Sequence, residues 1–121
     1  MKICIPCQSP GGLDAAVVEP LEESEILDYY EVHDDRNFEH TAQMRGCLGG
    51  CSDPVEAITR RGVEAVIVAG ISPRSLMLFR NAGIKVLRAD NPVVRSLIDS
   101  FIAESLEEIG VKEFAAQRRN G

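Results

Sequence analysis

Three times in the second half of the chain, a residue that caps helices stands directly before proline: Asp53-Pro54, Ser72-Pro73 and Asn91-Pro92. Each pair follows the last by 19 residues. A short polar side chain can accept a hydrogen bond from the first free N–H groups of a helix, and proline suits the first helical position because no N–H is needed there. Each pair therefore opens a predicted helix. The first carries Val55 and Ile58 inward and closes at Arg60-Arg61-Gly62; the second packs Leu76 and Phe79 and closes at Asn81-Ala82-Gly83. The third runs from Pro92 to about Ile109, with Val94, Leu97, Ile98, Phe101, Ile102 and Leu106 at helical spacing. Between the helices lie two short apolar runs, Val63 to Ala69 and Ile84 to Arg88, the first of a kind buried on both faces. Strands alternating with helices imply parallel pairing through right-handed crossovers.

The first half reads differently. Lys2-Ile3-Cys4-Ile5-Pro6 is a strand stopped by proline, Leu13 to Val18 a second strand, Pro20 to Ser24 a turn, and Ile26 to Val32 a third strand. Short links make these three neighbours, largely antiparallel. From His33 to Ser52 no periodicity persists, and this stretch, read as irregular, holds both histidines and two of the four cysteines. A five-stranded mixed α/β sheet results, with a single domain over residues 1–109 and a frayed, flexible tail over residues 110–121.

Composition narrows the function. At 121 residues and 45% hydrophobic content, the chain can build a core of Val, Ile, Leu and Ala without metal. A net charge of −6 argues against unassisted nucleic-acid binding. The eight acids from Glu19 to Asp35, uninterrupted by Lys or Arg, read as a solvated face. Met1-Lys2 leads straight into a strand, so no signal peptide is expected, and no apolar run reaches the ~20 residues of a membrane helix. The expectation is a cytoplasmic protein whose cysteines are thiols or metal ligands.

The chemistry concentrates in Arg45-Gly46-Cys47-Leu48-Gly49-Gly50-Cys51-Ser52-Asp53-Pro54. Its glycines let the backbone approach a ligand, and the helix start beyond it carries partial positive charge that favours anions and thiolates. The segment suits something anionic held by sulfur; the bland alternative is a glycine loop with incidental cysteines. In a parallel sheet the helix starts line the carboxyl edge, where ligands bind. Cys7 and Cys51 belong to that edge. Cys4, three residues before Cys7 in a strand, should point to the opposite face as a buried apolar residue. Four thiolates could make a structural zinc site, but the pairs are 39 residues apart and one lies within a strand. No nucleophile–base pair, Walker loop or G-x-G-x-x-G is present, so catalysis has no support in the residues.

At this point the chain resembles the dinitrogenase iron–molybdenum cofactor biosynthesis family. The resemblance covers residues 1–106. It rests on Met1-Lys2-Ile3-Cys4-Ile5-Pro6, on Leu21 to Tyr30 matching the family's FG-x-A-x-x-F segment, on Gly62-Val63-Glu64-Ala65-Val66-Ile67-Val68-Ala69-Gly70-Ile71, and on Ala82-Gly83-Ile84-Lys85-Val86. The chain departs from the family pattern in three places: Pro20-Leu21-Glu22 stands where His-Phe-Gly is common, Ser72 where a further glycine is, and the cysteines at 47 and 51 are not shared by every member. The resemblance implies a ribonuclease-H-like, three-layer α/β fold with helices flanking the sheet. It also implies non-enzymatic binding, carriage or scaffolding of an iron–sulfur or molybdenum-containing cluster, although the first strand offers no carboxylate for a two-metal nuclease site.

The expected ligands are Cys7, Cys47, Cys51 and His40, and the expected cofactor-binding positions are Gly49, Gly50, Gly70 and Ser72. Partners would be cluster donor or acceptor proteins, with no nucleic acid and no membrane, and the chain a monomer or homodimer. The alternatives are a zinc-stabilised interaction module and a thiol-redox regulator that pairs Cys47 with Cys51.

Overall fold

The computed structural model describes residues 1–17, 21–45 and 53–110. Five strands form one sheet: β1 (Lys2–Cys7), β2 (Ile26–Val32), β3 (Phe38–Arg45), β4 (Ala65–Val68) and β5 (Lys85–Arg88), in the order β3-β2-β1-β4-β5. The helices are α1 (Pro54–Arg60), α2 (Pro73–Asn81) and α3 (Val94–Ile102), and a single 3-10 turn spans Leu21–Glu23. β1, β4 and β5 are parallel; β2 runs antiparallel between β1 and β3. The mixed five-stranded α/β sheet expected from the sequence is present.

Each face of the sheet has its own core. On one, Leu27, Tyr29, Val66, Val68 and Val86 pack against Val55 and Ile58 of α1 and Leu76 and Phe79 of α2. On the other, Ile3, Ile5, Ala65, Ile67 and Leu87 pack against Val94, Leu97 and Ile98 of α3. This gives three layers. Every residue of β4 is buried, as a central parallel strand covered on both sides requires. Each such Val or Ile contributes on the order of 1.5–3 kcal/mol by leaving water. Among the described residues, no helix is long and apolar enough to cross a membrane.

Three sequence expectations change. Leu13 to Val18 is not a strand in the described residues. Val17 and Ala16 make only isolated bridges, to Cys7 and Val93. The carbonyls of Ala15 and Leu13 instead accept the N–H groups of Val94 and Arg95, closing the start of α3. That explains the second change. α3 begins at Val94 rather than Pro92 and has no side-chain cap, because another backbone segment satisfies its first donors. Asn91 accepts from the Val93 N–H in a turn before the helix, which then ends at Ile102, leaving Leu106 beyond it.

The third change matters most. Residues 33–52 are not irregular throughout, for Phe38–Arg45 is the edge strand β3. Its register with β2 slips between Tyr29 and Tyr30, where Ala42 opposes Tyr29 but His40 opposes Tyr30, so Thr41 is an extra, bulged residue. The Thr41 hydroxyl bonds the Tyr29 carbonyl there. Only Phe38 and Ala42 of this edge strand are half-buried and the rest is exposed, so it carries too little apolar signal to stand out in the sequence.

Candidate functional site

The bulge has a chemical consequence. Without it, side chains three apart on β3 would face opposite ways. With it, both Gln43 and His40 turn to the face of β2 that carries Asp28 and Tyr30. On the other side of β2, Ile5 is directly opposite Asp28, and Cys7, two residues on, shares its face. Three strands thus aim polar side chains at one point.

That point is the Asp28 carboxylate, which is fully buried. Its Oδ1 accepts from His40 Nε2 at 2.9 Å and from Gln43 Nε2 at 2.9 Å. Its Oδ2 accepts from the Gly12 N–H at 2.7 Å and from the Cys7 thiol at 3.4 Å. Four donors meet the requirement that a buried carboxylate be hydrogen-bonded. Gln43 also donates to the Pro10 carbonyl, which ties the loop after β1 over the cluster. Gly11 has φ +79, and a Cβ there would run into Gln43 Nε2, Asp28 Oδ2 and Ile26 Cγ2. Only glycine fits this turn without displacing the cluster.

The environment sets the state of the groups. Burial, then the charge of Asp28 and the hydrogen bond to it, push the Cys7 thiol well above its ordinary pKa. Cys7 is held as a thiol. Burial, then the charge of Asp28, also raise Tyr30, whose ring stacks on the His40 imidazole at 4.9 Å between centroids and 27° between planes. The His40 side chain is 41% exposed and forms the outer boundary of the cluster.

Cys7 and His40 meet at Asp28. Cys4 lies in the opposite core, against α1 and α2, as expected, and burial raises its thiol pKa well above the ordinary value. A single ion therefore cannot be chelated by Cys4 and Cys7 from this sheet. Gly49, Gly50, Cys47 and Cys51 lie outside the described residues. Arg45, the last described residue before them, shares the site's end of the sheet, because it is paired with Ile26, which is paired with Cys7.

Gly70 and Ser72 have local tasks. The Gly70 carbonyl accepts the Leu21 N–H, and the Glu22 carboxylate takes the Ser72 N–H at 3.3 Å and the Ser75 hydroxyl at 2.8 Å. Burial alone would raise the Glu22 pKa, but the hydrogen bonds from Ser72 and Ser75 outweigh it and hold the group below its ordinary value. At the start of α2, the place of an external anion is taken by the chain's own carboxylate. The start of α1 is likewise closed by Asp53, which accepts from Val55 and Glu56.

Sequence reasoning missed Asp28 and Gln43. The available signal was a lone acid inside the apolar strand Ile26-Leu27-Asp28-Tyr29-Tyr30, which is costly unless donors surround it. Among the described residues, no group of three or more His, Cys, Asp and Glu side chains is arranged to hold a metal ion.

The family model for dinitrogenase iron–molybdenum cofactor proteins matches residues 1–104. The chain belongs to this family. Among curated proteins, none matches it. Several solved structures share its fold. A protein of Methanocaldococcus jannaschii described provisionally as a dinitrogenase is 19% identical with a TM-score of 0.72, over 91% of this chain and 95% of that one. A Thermotoga protein described provisionally as a NifB protein is 22% identical with a TM-score of 0.70, over 88% and 91%. The apo form of the orange protein of Desulfovibrio gigas is 15% identical with a TM-score of 0.72, over 90% and 92%. At these identities the likeness establishes the fold.

Proposed function

We propose that this member of the iron–molybdenum cofactor family binds and carries an iron–sulfur or molybdenum-containing cluster without catalysing a reaction on it. Cys47 and Cys51 would supply soft thiolate ligands and His40 an imidazole, with cluster donor or acceptor proteins as partners. The observation that carries this reading is His40, a half-exposed residue with ligand chemistry, held on a buried carboxylate in a chain of this family. The donor set fits such cargo better than a bare ion. A cluster brings its own bridging sulfur and needs few protein ligands, whereas a mononuclear structural site needs four. A four-cysteine zinc site is disfavoured because Cys4 and Cys7 occupy opposite cores. Both faces of the sheet carry a large apolar core, so the empty protein should stay folded.

Anaerobic reconstitution with iron and sulfide, with and without molybdate, tests the proposal through metal analysis and absorption spectra. A stoichiometric chromophore lost in Cys47→Ser is expected. Uptake of zinc only, with loss of the fold on chelation, would reject the carrier in favour of a zinc-stabilised module.

A further inference from the structure

The chain holds two histidines, each with a carboxylate on its Nε2, and the two pairs are built differently. His33 meets Glu39 at 3.0 Å, with side chains 47% and 64% exposed. His40 meets Asp28 at 2.9 Å, and Asp28 is wholly buried. Water competes freely for both partners in the first pair. In the second, the acceptor cannot turn away, because Gln43, Gly12 and Cys7 hold its other lone pairs. The Tyr30 ring stacked on the imidazole also fixes the ring plane.

We propose that Asp28 is a positioning residue that locks His40 in the Nε2–H tautomer and so leaves Nδ1 as a ready donor atom for the cluster. A carboxylate only accepts hydrogen bonds, so the ring nitrogen facing it carries the proton. The other nitrogen then carries the lone pair. Among the described residues, Nδ1 has no hydrogen-bond partner, and the ring is partly exposed. Metal-binding histidines use this arrangement, in which a carboxylate on the second ring nitrogen sets the tautomer and raises the basicity of the first. Asp28 also distinguishes between the two candidate ligands it touches. It accepts a hydrogen bond from the Cys7 thiol inside the core, and it leaves Nδ1 of His40 without a partner among the described residues. Of the two, His40 is the group offered to cargo. This deepens the carrier reading and, for the role of Nδ1, rests on it.

The test uses the metal-free full chain and Zn2+ alone as the probe, so its outcome is independent of cluster uptake. Nitrogen-15 NMR of the histidine rings should show His40 as the Nε2–H tautomer and His33 as a mixture. This needs no variant, and an Nδ1–H or mixed ring at His40 overturns the proposal. In a Zn2+ titration, His40 Nδ1 should be the perturbed atom, and Asp28→Asn should weaken that binding by about 10–100-fold, the usual cost of losing such a partner. Unchanged Zn2+ binding in a folded Asp28→Asn protein, or zinc at Nε2 in the wild type, also overturns it. His33→Gln should leave the His40 signals unchanged. Should the locked tautomer and Nδ1 binding hold while reconstitution yields no cluster, only the carrier reading falls.

Discussion

The two halves of the sheet solve the same burial problem by opposite means. The parallel half, β4 and β5 with the helices around them, is filled with Val, Ile and Leu, and its strands are continuous apolar runs. The antiparallel half, β2 and β3 beside β1, buries a carboxylate in the middle of β2 and surrounds it with donors from three segments. A methyl group in the first half has many interchangeable neighbours. Asp28 in the second has four specific partners, and losing any one leaves a buried polar group with reduced satisfaction. The parallel half is thus a stable platform. The antiparallel half spends stability on geometry, as expected where a chain places side chains for binding rather than packing alone.

Substitutions in each half should separate these roles. Ile67→Ala, in the centre of β4, should cost about 4 kcal/mol by transfer loss and cavity formation, yet leave the His40 tautomer as it was. Asp28→Ala should cost about 3 kcal/mol by stranding buried donors, and it should release the tautomer. Denaturant unfolding with ring nitrogen-15 spectra measures both. If Ile67→Ala also released His40, the two halves would not be separable.

Gly11→Ala sharpens the comparison without removing a polar side chain. The positive φ and the encroachment on Asp28, Gln43 and Ile26 should cost about 2 kcal/mol and shift the His40 resonances. A neutral Gly11→Ala protein would mean that the loop after β1 does not brace the cluster.

The smallest effect is expected at Glu22, on the apolar face carrying α2. Glu22→Gln should cost about 1 kcal/mol at neutral pH, a value already reduced for partial exposure. The folded pKa lies below that of the unfolded chain, where Glu titrates near ~4.3. The stabilisation is therefore complete above that value and is lost as pH falls through the lower, folded one. Unfolding curves of both proteins should converge in acid. A difference that persisted at the lowest pH would assign Glu22 a role other than its charge-assisted cap.

The same comparison accounts for what could be read from the chain. Asp53-Pro54, Ser72-Pro73 and the Gly62 and Gly83 stops located α1 and α2 because caps and breakers act within a few residues of where they stand. The apolar runs around Val66 and Val86 located β4 and β5 for an equally local reason, since continuous hydrophobicity suffices for a strand covered on both faces. Cys4 and Cys7 could be assigned to opposite faces from strand geometry alone.

The Asp28 cluster was not legible in that way. Its members come from residues 7, 12, 28, 40 and 43, and their meeting depends on the bulge at Thr41 and on β2 lying between β1 and β3. The start of α3 was misplaced for a related reason, because the carbonyls that cap it belong to Leu13 and Ala15, some 80 residues earlier. The sequence by itself determined the elements whose causes are local: caps, stops and apolar period. Only the tertiary structure decided which polar groups would face one another. Hydrogen bonds are directional and short, so partners distant in sequence are chosen by register and a single extra residue rather than by residue type.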